Sequence, residues 1–477
     1  MALALGDCFT LILTEGGALY GLGRNEEGML GCINQDEQQN TPSRIRWSQW
    51  TDDLPALVFA GRDHLACVTK QGSLYMWGSA ANGRLGLSVE SGAVQVVHTP
   101  TMVPIASTSG SEREIVLMAA CSDTFSLALT QNGKVFSCGD GPLGQLGLGG
   151  ATLSTPVMTW IQHHPFQEVK VTMIAAGVSH CVALAQGNAR DLWTWGSNIQ
   201  GQLGLGDREE RTIPTPVETN TFGIRCTAVF AGGDSTAMIS DNEQQNRKGQ
   251  LWTCGSGTSG ELGLGVYGNV DDFRLVGGDA VFGEKGVRTA GMGLGHMIVL
   301  THNNKVFSWG RGAQAQLGQP LMDSKRSPSE VVLELPDGDF VKVVAAGSYH
   351  QAIITNDGTA YVWGTWRNLE ARALYLPGKT RPHEEQRAQS KPRGELGGER
   401  AGRWHVELCD LFHTFSMGSR SPKSWENSPR SPRPSSPVML LDRDHMAAIQ
   451  GAFRRLTFEP NQHCSDGLRY LMGFGPK

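Results

Sequence analysis

The sequence predicts an all-β fold, a seven-bladed β-propeller, on three observations. A Trp, Cys or Leu followed by glycine recurs seven times: Leu22-Gly23, Trp77-Gly78, Cys138-Gly139, Trp195-Gly196, Cys254-Gly255, Trp309-Gly310 and Trp363-Gly364. The spacings are 55, 61, 57, 59, 55 and 54 residues. Between these markers apolar residues alternate with period two, with almost no helical periodicity. The 61 glycines in 477 residues suit many tight turns rather than a helical chain. A sheet built from one repeat cannot bury both of its faces. Repeating it radially buries each face against the next copy and leaves only short edges.

Each part of the unit has a reason. A short apolar strand ends in an Ala-Gly turn and a second alternating strand follows, as in FAGRDHLACVT (59–69), AAGVSHCVALA (175–185) and AAGSYHQAIIT (345–355). A hairpin comes next (QGS, QNGK, NNK or NDGT), where glycine and asparagine supply the positive φ of a tight turn. The third strand carries the Trp, Cys or Leu that packs between blades, and its glycine admits close backbone approach. In the first six units EGMLG, GRLGL, GQLGLG, GQLGLG, GELGLG and AQLGQ follow. Each unit then restarts at Thr41-Pro42, Thr99-Pro100, Thr155-Pro156, Thr215-Pro216 or Ser327-Pro328, with DDFRLV in the fifth. The Leu-Gly run reads as punctuation between blades. The G-x-G look-alikes at 291–295 and 147–150 sit inside repeats and open no helix, which excludes a phosphate cradle.

Charge divides the chain. Residues 1–364 hold 23 Lys and Arg against 34 Asp and Glu, and residues 365–477 hold 18 against 12. The acidic body argues against direct nucleic-acid binding by the propeller and leaves the basic C-terminal region as the one polyanion contact. None of the ten cysteines forms a C-x-x-C pair, and Cys67, Cys138, Cys181 and Cys254 lie in apolar runs, so they read as core residues in a reducing compartment. The N-terminal stretch lacks a basic n-region and is broken by Asp7, unlike a signal peptide. No apolar run reaches the ~20 residues of a membrane span. The expected location is intracellular, cytoplasmic or nuclear, with no membrane contact. No catalytic motif and no cofactor or metal site emerges, and His163-His164 reads as a surface pair. The chain is therefore expected not to be an enzyme.

The pattern AAGxxHxxALTxDGxVYxWGxNxxGQLGLG resembles the regulator of chromosome condensation repeat family, over residues 2 to about 364 in seven copies. The resemblance implies a seven-bladed propeller closed by pairing a C-terminal segment with the N-terminal one, since the first unit begins directly at its Ala-Gly strand. It also implies a partner face built from the Gly-turn loops. Matching positions here are Asp7, Asp63, His64, Asp123, His180, Asp234, His296 and His350. A structural role also fits the histidines, each satisfying backbone groups within its blade. The founding member is a nucleotide exchange factor for a small nuclear GTPase. This sequence lacks the extra middle-blade hairpin that would act as a wedge, the 241–250 turn being merely polar, and lacks a basic N-terminal tail. GRWH at 402–405 is a lone near-match to the photoreceptor branch's G-W-R-H-T repeats.

The predicted organisation is a propeller over 1–378, with 371–377 as the missing strand of the last blade. A charged flexible insert covers 379–403, and 404–418 is a degenerate half repeat aligned on 341–355. A Ser/Pro/Arg-rich linker spans 419–437, with candidate phosphorylation sites Ser421, Ser428, Ser431 and Ser436. A tail over 438–477 carries Met446, Ile449, Phe453 and Leu456 at amphipathic-helix spacing. The C-terminal extension is expected to be irregular and partly disordered. The expected function is a non-enzymatic protein-interaction scaffold that binds a protein partner through one loop face. Two alternatives stay open: a guanine-nucleotide exchange factor for a Ran-like small GTPase, and a chromatin- or histone-binding propeller.

Overall fold

Segments that alternate apolar and polar residues between glycine turns pair as antiparallel strands. In the computed structural model the described residues are 1–364, apart from 26–29, 32–37, 46–52, 89–95, 107–112, 187–190, 219–223, 243–244 and 320, together with 404–406. They form seven four-stranded sheets, each in sequence order. The first comprises Ala2–Leu5, Phe9–Leu13, Leu19–Arg24 and Gln38–Arg44. The fourth comprises Lys170–Ala176, His180–Gln186, Leu192–Gly196 and Arg211–Pro216. The first strand of every sheet touches the first strand of the next, and Val341–Ala346 of the seventh touches Ala2–Leu5. Seven blades thus stand around a closed ring with their first strands innermost.

Burial follows position in the blade. Second strands such as His64–Thr69, Phe125–Thr130 and His350–Thr355 are buried along their whole length, because neighbouring blades cover both faces. Fourth strands such as Val96–Met102 and Lys325–Glu330 are largely open. The Thr-Pro and Ser-Pro steps fall inside these outer strands, so they close a blade rather than restart the next one. An outer edge tolerates proline because the missing N–H faces no partner, and the proline discourages further pairing.

The joint between blades explains the Leu-Gly loop. A Cβ added to the glycine of that dipeptide would meet the next blade's Trp Nε1 or Cys Sγ at 2.6–3.4 Å: Gly31 on Trp77, Gly86 on Cys138, Gly147 on Trp195, Gly204 on Cys254, Gly263 on Trp309 and Gly318 on Trp363. Three indoles also donate to a carbonyl two residues before the glycine. Trp195 bonds Gln145 O at 2.9 Å, Trp309 bonds Glu261 O at 2.9 Å and Trp363 bonds Gln316 O at 3.0 Å. The loop continues onto the next blade's outer strand, where Gly149 N–H donates to Thr212 O and Gly206 N–H to Asp271 O. Connecting loops add aromatic plugs that no sequence pattern marked. Phe166 lies 5.3 and 5.6 Å from Trp193 and Trp195, and Phe282, in the short helix Asp279–Phe282, lies 5.4 Å from Phe307.

Two expectations need correction. The first blade is complete from residues 2–44, so the ring does not close by pairing the C-terminal segment with the N-terminal one. It closes face to face, with Leu3 and Leu5 packed on Ala345, Ala352 and Val362, and with Ser348 N–H donating to Gly6 O at 3.2 Å. The fourth strand of blade seven is Trp404–Val406, paired with Ala360–Val362, in the place assigned to 371–377. Residues 371–377, 379–403, 407–418 and all later segments, including the four serines and the amphipathic stretch, lie outside the described residues. The polar 241–250 stretch is the end of a hairpin, Ser235–Asn242 with Arg247–Gly255, whose pairing runs out to Asn242 and Arg247.

The Leu-Gly joint sets a graded stability series for chemical denaturation. Gly206 and Gly147 share a left-handed backbone (φ +79° and +69°), but only Gly147 has the Trp195 ring against it. Gly206→Ala is expected to cost the backbone term alone, about 1–2 kcal/mol, and Gly147→Ala clearly more. Trp195→Ala is expected to cost about 3–5 kcal/mol, with Trp195→Phe between.

Candidate functional site

In an antiparallel blade the connections from first to second strand and from third to fourth leave at the same end. The Gly-turn loops and the Leu-Gly loops therefore share one face. They meet in a cleft of about 300 Å³ over blades two to four, lined among others by Arg62, Asp63, Arg84, Asp123, Asp140 and Ser179.

The structure splits the candidate residues into two sets. His64, His180, His296 and His350 are buried within the joints. Three reach a hydroxyl on the following blade: His64 Nε2 to Ser126 Oγ at 2.7 Å, His180 Nε2 to Thr236 Oγ1 at 2.8 Å and His350 Nε2 to Thr10 Oγ1 at 3.0 Å. The last spans blades seven and one, so ring closure uses the same bond as the joints between blades two and three and between blades four and five. These bonds run between blades rather than to backbone groups within a blade. Burial lowers all four imidazoles, to about 3 for His64 and His350 and about 4 for His180 and His296.

The carboxylates form the second set. Asp7 is buried, with Cys8 Sγ 3.5 Å from its Oδ2. Asp63 and Asp123 are part-exposed, with side-chain exposures of 28% and 32%, and Arg62 stands between them. Asp123 is raised above the usual carboxylate range, chiefly by desolvation and then by Asp63 and Asp7, against the opposing pull of Arg62. Asp234 is raised by desolvation, opposed by a hydrogen bond from Ser179 Oγ at 3.5 Å, and among the described residues it pairs with no cation. Sequence reading named these acids but missed Arg62, Arg84 and Arg24, the last 3.9 Å from Asp63, which offset them over blades one to three.

Other candidate chemistry is accounted for. Among the described residues no three of His, Cys, Asp and Glu are placed to hold a metal. His164 is exposed and pairs with Glu168 at 3.0 Å. None of the seven described cysteines is in a disulfide, and burial pushes the Cys121 thiol up to about 12. Among the described residues no helix is long and apolar enough to cross a membrane.

The RCC1-like domain is matched over residues 56–372. The chain belongs to the RCC1-like domain family. It is 30% identical over 364 residues to the E3 ubiquitin-protein ligase HERC2 of Homo sapiens, covering 75% of this chain and 7% of that protein. It is 30% identical over 312 residues to the ultraviolet-B receptor UVR8 of Arabidopsis thaliana, covering 65% of this chain and 64% of the receptor. The chain thus spans a small part of the ligase and under two thirds of the receptor. Among solved structures, Prp20p from Saccharomyces cerevisiae superposes with a TM-score of 0.60 at 22% identity, over 72% of this chain and 80% of that one. That likeness shows the fold.

The buried histidines fix a pH dependence. They are neutral when folded, whereas in the unfolded chain they take protons below about 6.5. Their stabilisation is therefore complete above that pH and falls as pH drops toward 4, by about 1.4 kcal/mol per pH unit for each histidine. His180→Gln is expected to flatten the slope of unfolding free energy against pH between 6.5 and 4.5 by roughly that amount; an unchanged slope would mean His180 does not titrate on unfolding.

Proposed function

We propose that this member of the family is a non-enzymatic scaffold that docks a protein partner on the face carrying the Gly-turn and Leu-Gly loops. The supporting observation is the half-desolvated Asp234, without a cation among the described residues, on the same face as the part-exposed Asp63 and Asp123. Partly stripped carboxylates suit a partner that brings its own lysine or arginine. The four histidines then act indirectly, by holding the loops at fixed positions.

The second reading is exchange activity on a small GTPase. The solved structure of Prp20p is described with its binding properties to Gsp1p and histones, and the loop face that the family resemblance makes a partner face carries Asp63 and Asp123 here. Histone binding through those carboxylates is the third reading. We also propose an intracellular location, cytoplasmic or nuclear, and phosphorylation of Ser421, Ser428, Ser431 and Ser436.

Cross-linking and pull-down from native extract, comparing the intact protein with Asp63→Asn/Asp123→Asn/Asp234→Asn, test the docking face. The intact protein is expected to retain a partner that the triple variant loses at unchanged Tm. Partner retention by the triple variant would remove the loop face as the docking site. Faster GDP release from a captured GTPase would promote the second reading.

A further inference from the structure

The first residue after the turn residue, a glycine except for Ser122 in blade three, is Asp7, Arg62 and Asp123 in blades one to three, then Val178, Gly233, Leu294 and Ser348 in blades four to seven. That position is charged over blades one to three and uncharged over blades four to seven, where Asp234 stands one residue later in blade five, and Arg62 is the cation between two acids at one repeat position. Backbone bonds fix that order: Asp7 N–H donates to Arg62 O, and Arg62 N–H to Ser122 O, both at 3.3 Å.

The Arg62 guanidinium sits 3.6 Å from Asp63 and 3.7 Å from Asp123, and its side chain is 46% exposed. Neither contact reaches hydrogen-bond distance. Ion pairs on the outer rim do, with Arg211–Asp207 at 2.6 Å and Lys325–Asp323 at 2.9 Å. Arg62 is thus held by charge alone, close enough to offset two carboxylates and loose enough to swing away. Arg84 cannot replace it, because that side chain is buried and its Nε donates to Ala81 O at 2.9 Å.

We propose that Arg62 is a specificity-determining residue of the loop face. Its guanidinium fills the seat between Asp63 and Asp123 that a partner's lysine or arginine takes on docking, and so sets how basic that partner must be. This inference rests on the docking face described above. When a basic side chain arrives, Arg62 moves outward into solvent and the incoming cation inherits both carboxylates. No bond is made or broken. Asp234 in blade five is already open to a cation, so Arg62 governs only whether a basic group also enters blades two and three.

The test uses the full-length protein and a labelled nona-lysine peptide, titrated by fluorescence anisotropy at low ionic strength, with nona-glutamate as the control. Arg62→Gln is expected to tighten nona-lysine binding by about three- to tenfold, and Arg62→Lys to leave it within about twofold. Adding Asp63→Asn/Asp123→Asn is expected to abolish the gain. The inference is overturned if Arg62→Gln brings no gain, or if the gain survives in the Asp63→Asn/Asp123→Asn background, where only net charge could explain it. If nona-lysine binding needs Asp63 and Asp123 but ignores Arg62→Gln, the docking face stands and only the role of Arg62 fails. If no form binds the peptide, the basic-partner reading fails together with this one.

Discussion

The ring depends on one repeated contact, between a glycine that has no Cβ to offer and the indole or thiol of the next blade. A four-stranded sheet of this size has two apolar faces and no means of covering either. Docking the third strand of one blade into the loop of the previous one covers both at once. The contact needs a glycine in the left-handed region, as at Gly147 (φ +69°), and at Trp195, Trp309 and Trp363 a loop carbonyl also takes the indole proton. At the joint between blades seven and one the ring-facing position is Leu22, whose side chain has no N–H, and the chain after Gly364 reads TWRNLE. Among the described residues that joint is held by apolar packing of Leu3 and Leu5 and by the His350–Thr10 bond.

The histidines show how a repeated chemical residue can be spent on architecture. An imidazole one residue past a solvent-facing loop looks available in one dimension. The second strand of each blade is covered on both faces, so the first side chain of that strand turns into the joint, where His64, His180 and His350 bond a neighbouring hydroxyl. Burial then keeps the ring neutral, which suits a bond to serine or threonine and not a charged contact with a partner. The carboxylates nearby, at Asp63 and Asp234, stay in the loop itself and keep part of their surface.

Charge on the loop face is less simple than composition suggests. The propeller is acidic by count, yet over blades one to three Arg24 and Arg62 stand within 4 Å of the acids, while Asp234 is left without such a neighbour among the described residues. On the docking reading proposed above, such a face would select partners by where their cations fall rather than by how many they carry. Function in such a ring lives in the loops, since the blades serve only to hold them.

Much of the fold was legible because it is local and periodic. The Trp-Gly spacing counts the blades, the alternation gives the strands, and the asparagine and glycine turns give the hairpins, each set by backbone sterics within a few residues. Candidate acids such as Asp63 and Asp234 were legible for the same reason, through their fixed place after the turn glycine. What could not be read was everything that depends on which blade faces which. The Thr-Pro steps proved to lie in outer strands, Phe166 and Phe282 became plugs, His180 turned inward, and Arg62 came to rest between acids from two blades. The sequence by itself determined seven four-stranded units and their order. The tertiary structure alone decided how the ring closes and which side chains remain for a partner, because both are set by contacts between residues some 50 to 340 positions apart, such as Trp195 with Gln145 and Thr10 with His350.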